Sequence, residues 1–307
     1  MPKVSVCCIT YNHEKFLRQA IDSALMQQTK FEVEIVIGED CSTDSTRDIV
    51  LDYQQRFPGR VKALLPKANL GIMGNLMATL AACTGDYIAL LEGDDYWTDP
   101  QKLAVQLATL EAHPECALCI HDAEMFSDEV IVFANQEQMT SRLYSEQFPQ
   151  MMSAARPVIS QEEIIQLGWG IPTASMFFRR SALQMPQWFS GVYSGDYTLQ
   201  LLITQHGSIY YVPRVMSRYR VHTGSITMMA VHSLSMINKR IFELQHYRSL
   251  LPQASERYST DLEYWYFVRS VKFRQNGQPL QGWLDYLRAV TVSSARLKKH
   301  VKRLFIR

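Results

Sequence analysis

Three short polar stretches in this sequence gather the side chains able to do chemistry, and each directly follows an apolar run. Thr10-Tyr11-Asn12 follows KVSVCCI, Glu39-Asp40-Cys41-Ser42-Thr43-Asp44 follows EIVIG, and Glu92-Gly93-Asp94-Asp95 follows YIALL. Carboxylates brought this close repel one another unless a cation or hydrogen-bond donors sit among them. Hard oxygen ligands favour Mg2+ or Mn2+, which keep coordination sites for phosphate oxygens. A nucleotide diphosphate held through a divalent ion suits such a set. The phosphate-binding fingerprints GxGxxG and GxxxxGK[ST] are both absent, which excludes an ordinary dinucleotide site and a P-loop. Farther along stand Asp196, in Ser194-Gly195-Asp196, and His222, in Arg220-Val221-His222. On local sequence alone, Asp196 reads as a helix N-cap and His222 as a solvated or core histidine.

The elements that must position these residues alternate strand and helix. Strand patterns occur at 3–10, 33–37, 61–65, 87–91 and 117–120. Helical spacing occurs at 14–28, 44–56 and 72–82, and a further helix is expected from Pro100 with Asp99 as its N-cap. This alternation predicts an α/β fold with a mostly parallel sheet flanked by helices, whose ligands bind beyond the carboxyl ends of the strands. Residues 126–158 show no sustained period and read as loops, with the character of a flap. Ser160-x-x-Glu163 is a capping box. Further strands are expected at 174–179 and 208–212. From about residue 228 the pattern turns helical, with Asn276-Gly277 closing one helix, so the expected division is 1–227 and a C-terminal helical region, 228–307.

Composition narrows the field. The 307 residues carry 31 Lys+Arg against 30 Asp+Glu, a balance that argues against binding nucleic acid through bulk charge. With 47% hydrophobic and 20% charged residues, the chain is a folded globular protein. No leader and no membrane-spanning run is legible, so reduced thiols in a cytoplasmic protein are expected. Cys116, Cys119 and His121 look like half a zinc site, but no second pair follows, and a buried strand accounts for them better.

At this point the sequence resembles the family 2 glycosyltransferases with the GT-A type of nucleotide-sugar-binding fold. The resemblance rests on VSVCCITYNHEKFLRQAIDSALMQQ, EIVIGEDCSTDST, YIALLEGDDYW and SGDYTLQLLITQHGSIYYVPRVMSRYRVHTGSIT, four collinear segments covering roughly residues 3–226. It implies that Thr10 and Tyr11, with Asn12 beside them, line the base pocket of a nucleotide-diphospho-sugar donor. It further implies that Asp40 accepts from the base N–H and that Asp94 lies near the ribose or diphosphate. By the same resemblance Asp95 and His222 hold the divalent ion and Asp196 is the general base. Glu39 and Cys41 stand where the family usually has Asp and Gly, Glu92 replaces the first Asp of DxD, and Gly74-Asn75 stands where many members have Arg-Asn.

The function so implied is inverting transfer of a sugar, with a UDP-sugar favoured, to a saccharide or lipid-linked glycan in surface polysaccharide synthesis. Arg-Trp occurs nowhere, so the Gln-x-x-Arg-Trp motif of processive synthases is missing and one sugar per encounter is expected. A sugar nucleotidyltransferase would need a Gly-rich basic loop after the first strand, and a non-catalytic glycan-binding scaffold would have lost Asp95 or Asp196. The segment 296–307, RLKKHVKRLFIR, has six Lys/Arg and no acid, a pattern suited to an anionic membrane surface, a solvated helix or a subunit contact.

Overall fold

The computed structural model describes residues 2–130, 141–150, 152–168, 170–223 and 233–292, so the basic segment 296–307 and part of the expected flap lie outside the described residues. Two compact units make up the chain: 1–190 with 195–228, and 191–194 with 229–307.

The first unit is an α/β layer structure. It opens with β1 (Lys3–Thr10), α1 (Leu17–Leu25), β2 (Glu32–Glu39), α2 (Thr46–Arg56), β3 (Val61–Leu64), α3 (Gly71–Ala82) and β4 (Tyr87–Glu92). These four strands lie in the order β3-β2-β1-β4, all parallel. The near-continuous apolar runs of β1, β2 and β4 are buried, as strands covered on both faces must be, while the edge strand β3 is only partly buried. Leu17, Ala20, Ile21 and Ala24 on α1 are fully buried, at the spacing that places them on one helical face. On the other side, α3 approaches β2 so closely that a Cβ at Gly38 would lie 2.0 Å from Thr79 Oγ1, and Asn75 Nδ2 donates to the Gly38 carbonyl at 2.8 Å.

The second half of the unit is mixed rather than parallel. It comprises β5 (Tyr96–Trp97), α4 (Lys102–Ala112), β6 (Cys116–Phe126), β7 (Arg142–Leu143), α5 (Tyr144–Gln147), β8 (Val158–Ile159), α6 (Gln161–Leu167), β9 (Phe177–Arg179), α7 (Gly195–Ile203) and β10 (Ser208–Arg220). β9 runs antiparallel between β4 and β6, β10 is parallel to β6, and β5 closes the order antiparallel to β10. β6 and β10 extend well past the runs at 117–120 and 208–212. Their polar residues are satisfied by neighbours, Glu124 by Arg218 Nε at 2.6 Å and Asp122 by Ser145, so the strands need not stop where the apolar run does. Part of the 126–158 stretch is ordered as β7, α5 and β8. The helix expected at Pro100 begins at Lys102, because Asp99 Oδ1 accepts from Gln101 N–H and closes a turn first. The capping box at Ser160 and Glu163 forms. Cys116, Cys119 and His121 are buried strand residues of β6.

The second unit contains α8 (Leu234–Leu250), α9 (Ser255–Gln275) and α10 (Pro279–Val292). Asn276 and Gly277, the latter at φ 72°, terminate α9. Glu243, fully buried on α8, pairs with Arg240 at 2.6 Å and accepts the main-chain N–H groups of Tyr193 and Ser194. Arg269 on α9 grips Asp285 of α10 through two bonds of 2.6 and 2.9 Å. Among the described residues, no helix is long and apolar enough to cross a membrane.

Candidate active site

The register of the parallel strands brings the polar stretches to one edge. Thr10 lies opposite Glu39, and Ile9 opposite Glu92. The loops after β1 and β2 then lock to each other. Asn12 Oδ1 accepts Thr43 N–H at 2.8 Å, Asp44 accepts Glu14 N–H at 3.1 Å, Glu14 accepts Ser45 N–H at 3.0 Å, and Thr46 Oγ1 accepts His13 N–H at 2.8 Å. These bonds occupy the N–H groups of His13, Glu14, Thr43 and Ser45 in cross-loop contacts just ahead of the helices, so α1 and α2 begin later than the pattern at 14 and 44. Asn12 and Cys41 both sit in the left-handed region, at φ 55° and 59°.

The expected nucleotide residues occupy this edge unevenly. Tyr11 is exposed, while Thr10 and Asp40 are buried. Asp40 Oδ1 accepts Leu70 N–H at 2.6 Å, and its carbonyl accepts Asn69 Nδ2 at 2.9 Å, so it ties the β2 end to the start of α3. Glu39 is fully buried and accepts from Ser42 N–H and Arg47. Burial works against its charge, but the Ser42 bonds and the Arg47 guanidinium hold it below the usual carboxylate range.

The turn after β4 carries the acidic residues. A Cβ on Gly93 would lie 2.5 Å from Thr10 Oγ1 and 2.9 Å from His13 Nδ1, so glycine lets both side chains close over the turn. It is Asp94, not Asp95, whose carboxylate meets His222: Asp94 Oδ2 lies 3.2 Å from His222 Nε2 and 3.8 Å from His13 Nε2. Burial opposes its ionisation, yet the bond to His222 and the His13 ring keep its pKa low. Asp95 is 1% exposed; Oδ1 accepts Arg220 N–H at 2.8 Å, and Oδ2 has no hydrogen-bond partner among the described residues. Burial, then the charges of Asp94 and Glu92, push Asp95 well up. Glu92 is pushed up to about 8 by burial and by the charges of Asp94 and Asp196.

Asp196 stands in the first turn of α7, inside the helix rather than ahead of it, where the helix dipole favours a negative charge. Its charge is felt by Glu92 and by the buried Tyr144 hydroxyl, so it belongs to the same acidic group. Without a cation this group is short of positive charge, in keeping with the raised Glu92 pKa and the orphaned Asp95 oxygen. The residues therefore fit a divalent ion. Among the described residues, His13, Asp94 and His222 are the cluster whose ligand atoms come within 4.8 Å of one another.

Sequence reasoning passed over His13, Arg220 and Tyr144. His13 directly follows the Thr10-Tyr11-Asn12 stretch, and Arg220 is two residues before His222; those adjacencies were the available signals. Tyr144 lies in the irregular middle, where no periodicity pointed to it.

The sequence model of "Glycosyl transferase family 2" matches residues 5–182. An uncharacterized protein of Mycobacterium tuberculosis is 32% identical over 225 residues, 73% of this chain and 60% of its own length. The chain thus spans about 60% of the length of such curated relatives. Among solved structures, Staphylococcus aureus TarS 1-349 in complex with UDP-GlcNAc superposes with a TM-score of 0.62 at 16% identity, over 94% of this chain and 82% of that one. The mannosyltransferase PcManGT of Pyrobaculum calidifontis, in complex with GDP-Man and Mn2+, gives a TM-score of 0.57 at 15% identity, over 100% and 81%. These two likenesses speak for the fold.

Proposed function

The chain belongs to glycosyl transferase family 2, and from that premise we propose that it moves a sugar, with inversion, from a nucleotide-diphosphate donor to a hydroxyl of a saccharide or lipid-linked glycan. A UDP-sugar is the favoured donor and surface polysaccharide synthesis the setting. The observation that carries the reading is the convergence of Glu92, Asp94, Asp95, Asp196 and His222 beyond the carboxyl ends of β1, β2 and β4. TarS with UDP-GlcNAc and PcManGT with GDP-Man and Mn2+ support it by likeness of fold.

In this reading Thr10, Tyr11 and Asn12 border the base, and Asp40, fixed by Leu70 N–H, accepts from the base N–H. The sequence pointed to Asp95 with His222 as metal ligands; in this reading Asp94, whose Oδ2 meets His222 Nε2, would hold a divalent ion, Mn2+ or Mg2+, together with His222, while Asp95 fixes the turn through Arg220 N–H. The ion, when bound, would neutralise charge on the departing diphosphate. Asp196 takes the acceptor proton as the new bond forms, a role open to a carboxylate in the first turn of a helix. The basic segment 296–307 would hold the enzyme at an anionic membrane surface, which co-sedimentation with anionic against neutral liposomes reads directly.

The experiment is nucleotide release from a panel of UDP-, dTDP- and GDP-sugars, with Mn2+ or Mg2+ and a mixture of saccharide acceptors. Release above the protein-free rate with one donor supports the reading. No release from any donor overturns it.

A further inference from the structure

We propose that His13 is a third protein ligand of the divalent ion, alongside Asp94 and His222, and that this donor set selects Mn2+ over Mg2+. The inference rests on the donor site proposed above and deepens it by naming the class of ion.

The geometry is that of ligands sharing an ion. Donors about 2.1 Å from a metal lie roughly 3.0 Å apart in an octahedron and roughly 3.4 Å apart in a tetrahedron. Around Asp94 Oδ2 the two histidine nitrogens stand at 3.2 and 3.8 Å, and all three ligand atoms fall within 4.8 Å. The longer of these distances exceeds the reach of an N–H···O hydrogen bond. His13 Nε2 thus lies beside the same carboxylate oxygen as His222 Nε2 without hydrogen-bonding to it.

His13 is also held in place from several directions. Its main-chain N–H is anchored on Thr46 Oγ1, and its carbonyl accepts the N–H groups of Phe16 and Leu17 at the start of α1. Gly93 leaves room for its Nδ1 edge. The His13 and His222 rings stand edge to face with centroids 6.3 Å apart, and Phe16 packs against His222 at 4.9 Å. Two elements distant in sequence, the loop after β1 and the residues after β10, thus present one imidazole nitrogen each to a single carboxylate.

Donor chemistry decides the selectivity. Mg2+ prefers an all-oxygen shell and sheds water reluctantly, whereas Mn2+, although the weakest binder of the Irving–Williams series, is a transition ion that takes imidazole nitrogen beside carboxylate oxygen more readily than Mg2+ does. Two nitrogens and one oxygen leave the remaining positions for phosphate oxygens or water.

The test uses the full chain and Mn2+ alone, with no nucleotide. Pulsed electron paramagnetic resonance on protein with 14N- or 15N-histidine counts the coordinated imidazoles, and a titration of free Mn2+ gives the affinity. The expected result is two coordinated imidazoles in the wild type, one in His13→Ala and one in His222→Ala. His13→Ala should weaken Mn2+ by at least about tenfold, and excess Mg2+ should not displace Mn2+ from the wild type. A single imidazole in the wild type, an unchanged Mn2+ affinity in folded His13→Ala, or ready displacement by Mg2+ overturns the inference. The wild-type count is decisive even where the variant fails to fold. If two imidazoles are counted but no donor releases nucleotide, the inference stands and the proposed function falls. Nucleotide release with a single imidazole does the opposite: the function stands and the inference falls.

Discussion

The main-chain N–H of Arg220 donates to Asp95 Oδ1 at 2.8 Å while the same residue's guanidinium Nε donates to the Asp94 carbonyl at 2.9 Å. One residue at the end of β10 thereby fixes the turn after β4 by backbone and side chain together. The guanidinium is itself boxed by aromatic rings, 4.7 Å from the centroids of Phe16 and Phe126 and 5.7 Å from Tyr96, and it bonds Gln19 Oε1 and pairs with Asp128.

Arg220→Lys keeps the charge but cannot reproduce the planar set of donors or the stacking. It should cost about 2–3 kcal/mol of stability, from lost hydrogen bonds to a buried, charged group. Nucleotide affinity should fall with it, since the Asp94-Asp95 turn loses its anchor. Urea unfolding and UDP calorimetry read the two effects. Equal stability and equal affinity in the lysine variant would show that the turn holds without Arg220.

Cys41 occupies a left-handed conformation at φ 59°, where the resemblance predicts glycine. A non-glycine residue there is strained by about 1–2 kcal/mol, while glycine returns about 0.5–1 kcal/mol through its freer unfolded chain. The Cys41 thiol offsets little, its contact being a long one of 3.9 Å to the Lys67 carbonyl. Cys41→Gly should therefore stabilise the protein by on the order of 0.5–1 kcal/mol. A lower midpoint of chemical denaturation in that variant would count against strain at this position.

Lys102 is fully buried, with Nζ donating to Gln106 Oε1 at 2.7 Å and lying 4.0 Å over the Trp97 ring. Burial brings its pKa from 10.5 down to about 7, and no carboxylate is among these partners. Between those two values the unfolded chain holds a proton that the folded chain has lost, so stability rises with pH, by up to about 1.4 kcal/mol per unit. The neighbouring His121, kept neutral first by burial and then by the Lys102 charge, acts in the same sense at lower pH: stability falls as pH drops below 6.5. Lys102→Met should remove the alkaline rise. Unfolding free energies of wild type and variant, compared from about pH 7 to 9, should diverge steadily; parallel curves would place the titration elsewhere.

How far the sequence disclosed all this depends on where each residue gets its partners. The parallel half of the sheet was legible because its strands are apolar on both faces and end in Thr10, Glu39 and Glu92, which the register aligns. The lengths of β6 and β10 were not, since Glu124 and Arg218 look like the end of a strand until each is seen to satisfy the other. Within the acidic turn the sequence placed the carboxylates but not their orientation. Which of Asp94 and Asp95 faces His222 is settled by Asp95 N–H closing on the Glu92 carbonyl at 3.1 Å and by Arg220, more than a hundred residues away. His13 carried no signal beyond its place next to Thr10-Tyr11-Asn12, because its partner His222 comes from the far end of β10.

Asp196 is the residue on which the proposed chemistry turns. A sugar hydroxyl is a poor nucleophile until its proton is leaving, and a positioned carboxylate contributes roughly 10²–10⁴-fold to such a step. Asp196→Asn keeps the size and lies in a helical first turn that tolerates asparagine, but it cannot accept that proton. Transfer should fall by about that factor, or about 3–5 kcal/mol of barrier, while nucleotide affinity stays within a factor of about two. A second readout is independent of turnover. The Asp196 charge is one cause of the raised Glu92 pKa, so its removal should let Glu92 drop below about 8 in a carboxyl-resolved NMR titration. If Asp196 only stabilised the helix start, Asn would forfeit about 0.3–1 kcal/mol of charge–dipole stabilisation and transfer would survive. Near-wild-type transfer, even with Glu92 relaxed, would leave Asp196 as an electrostatic neighbour and pass the role of base to another group in the cleft.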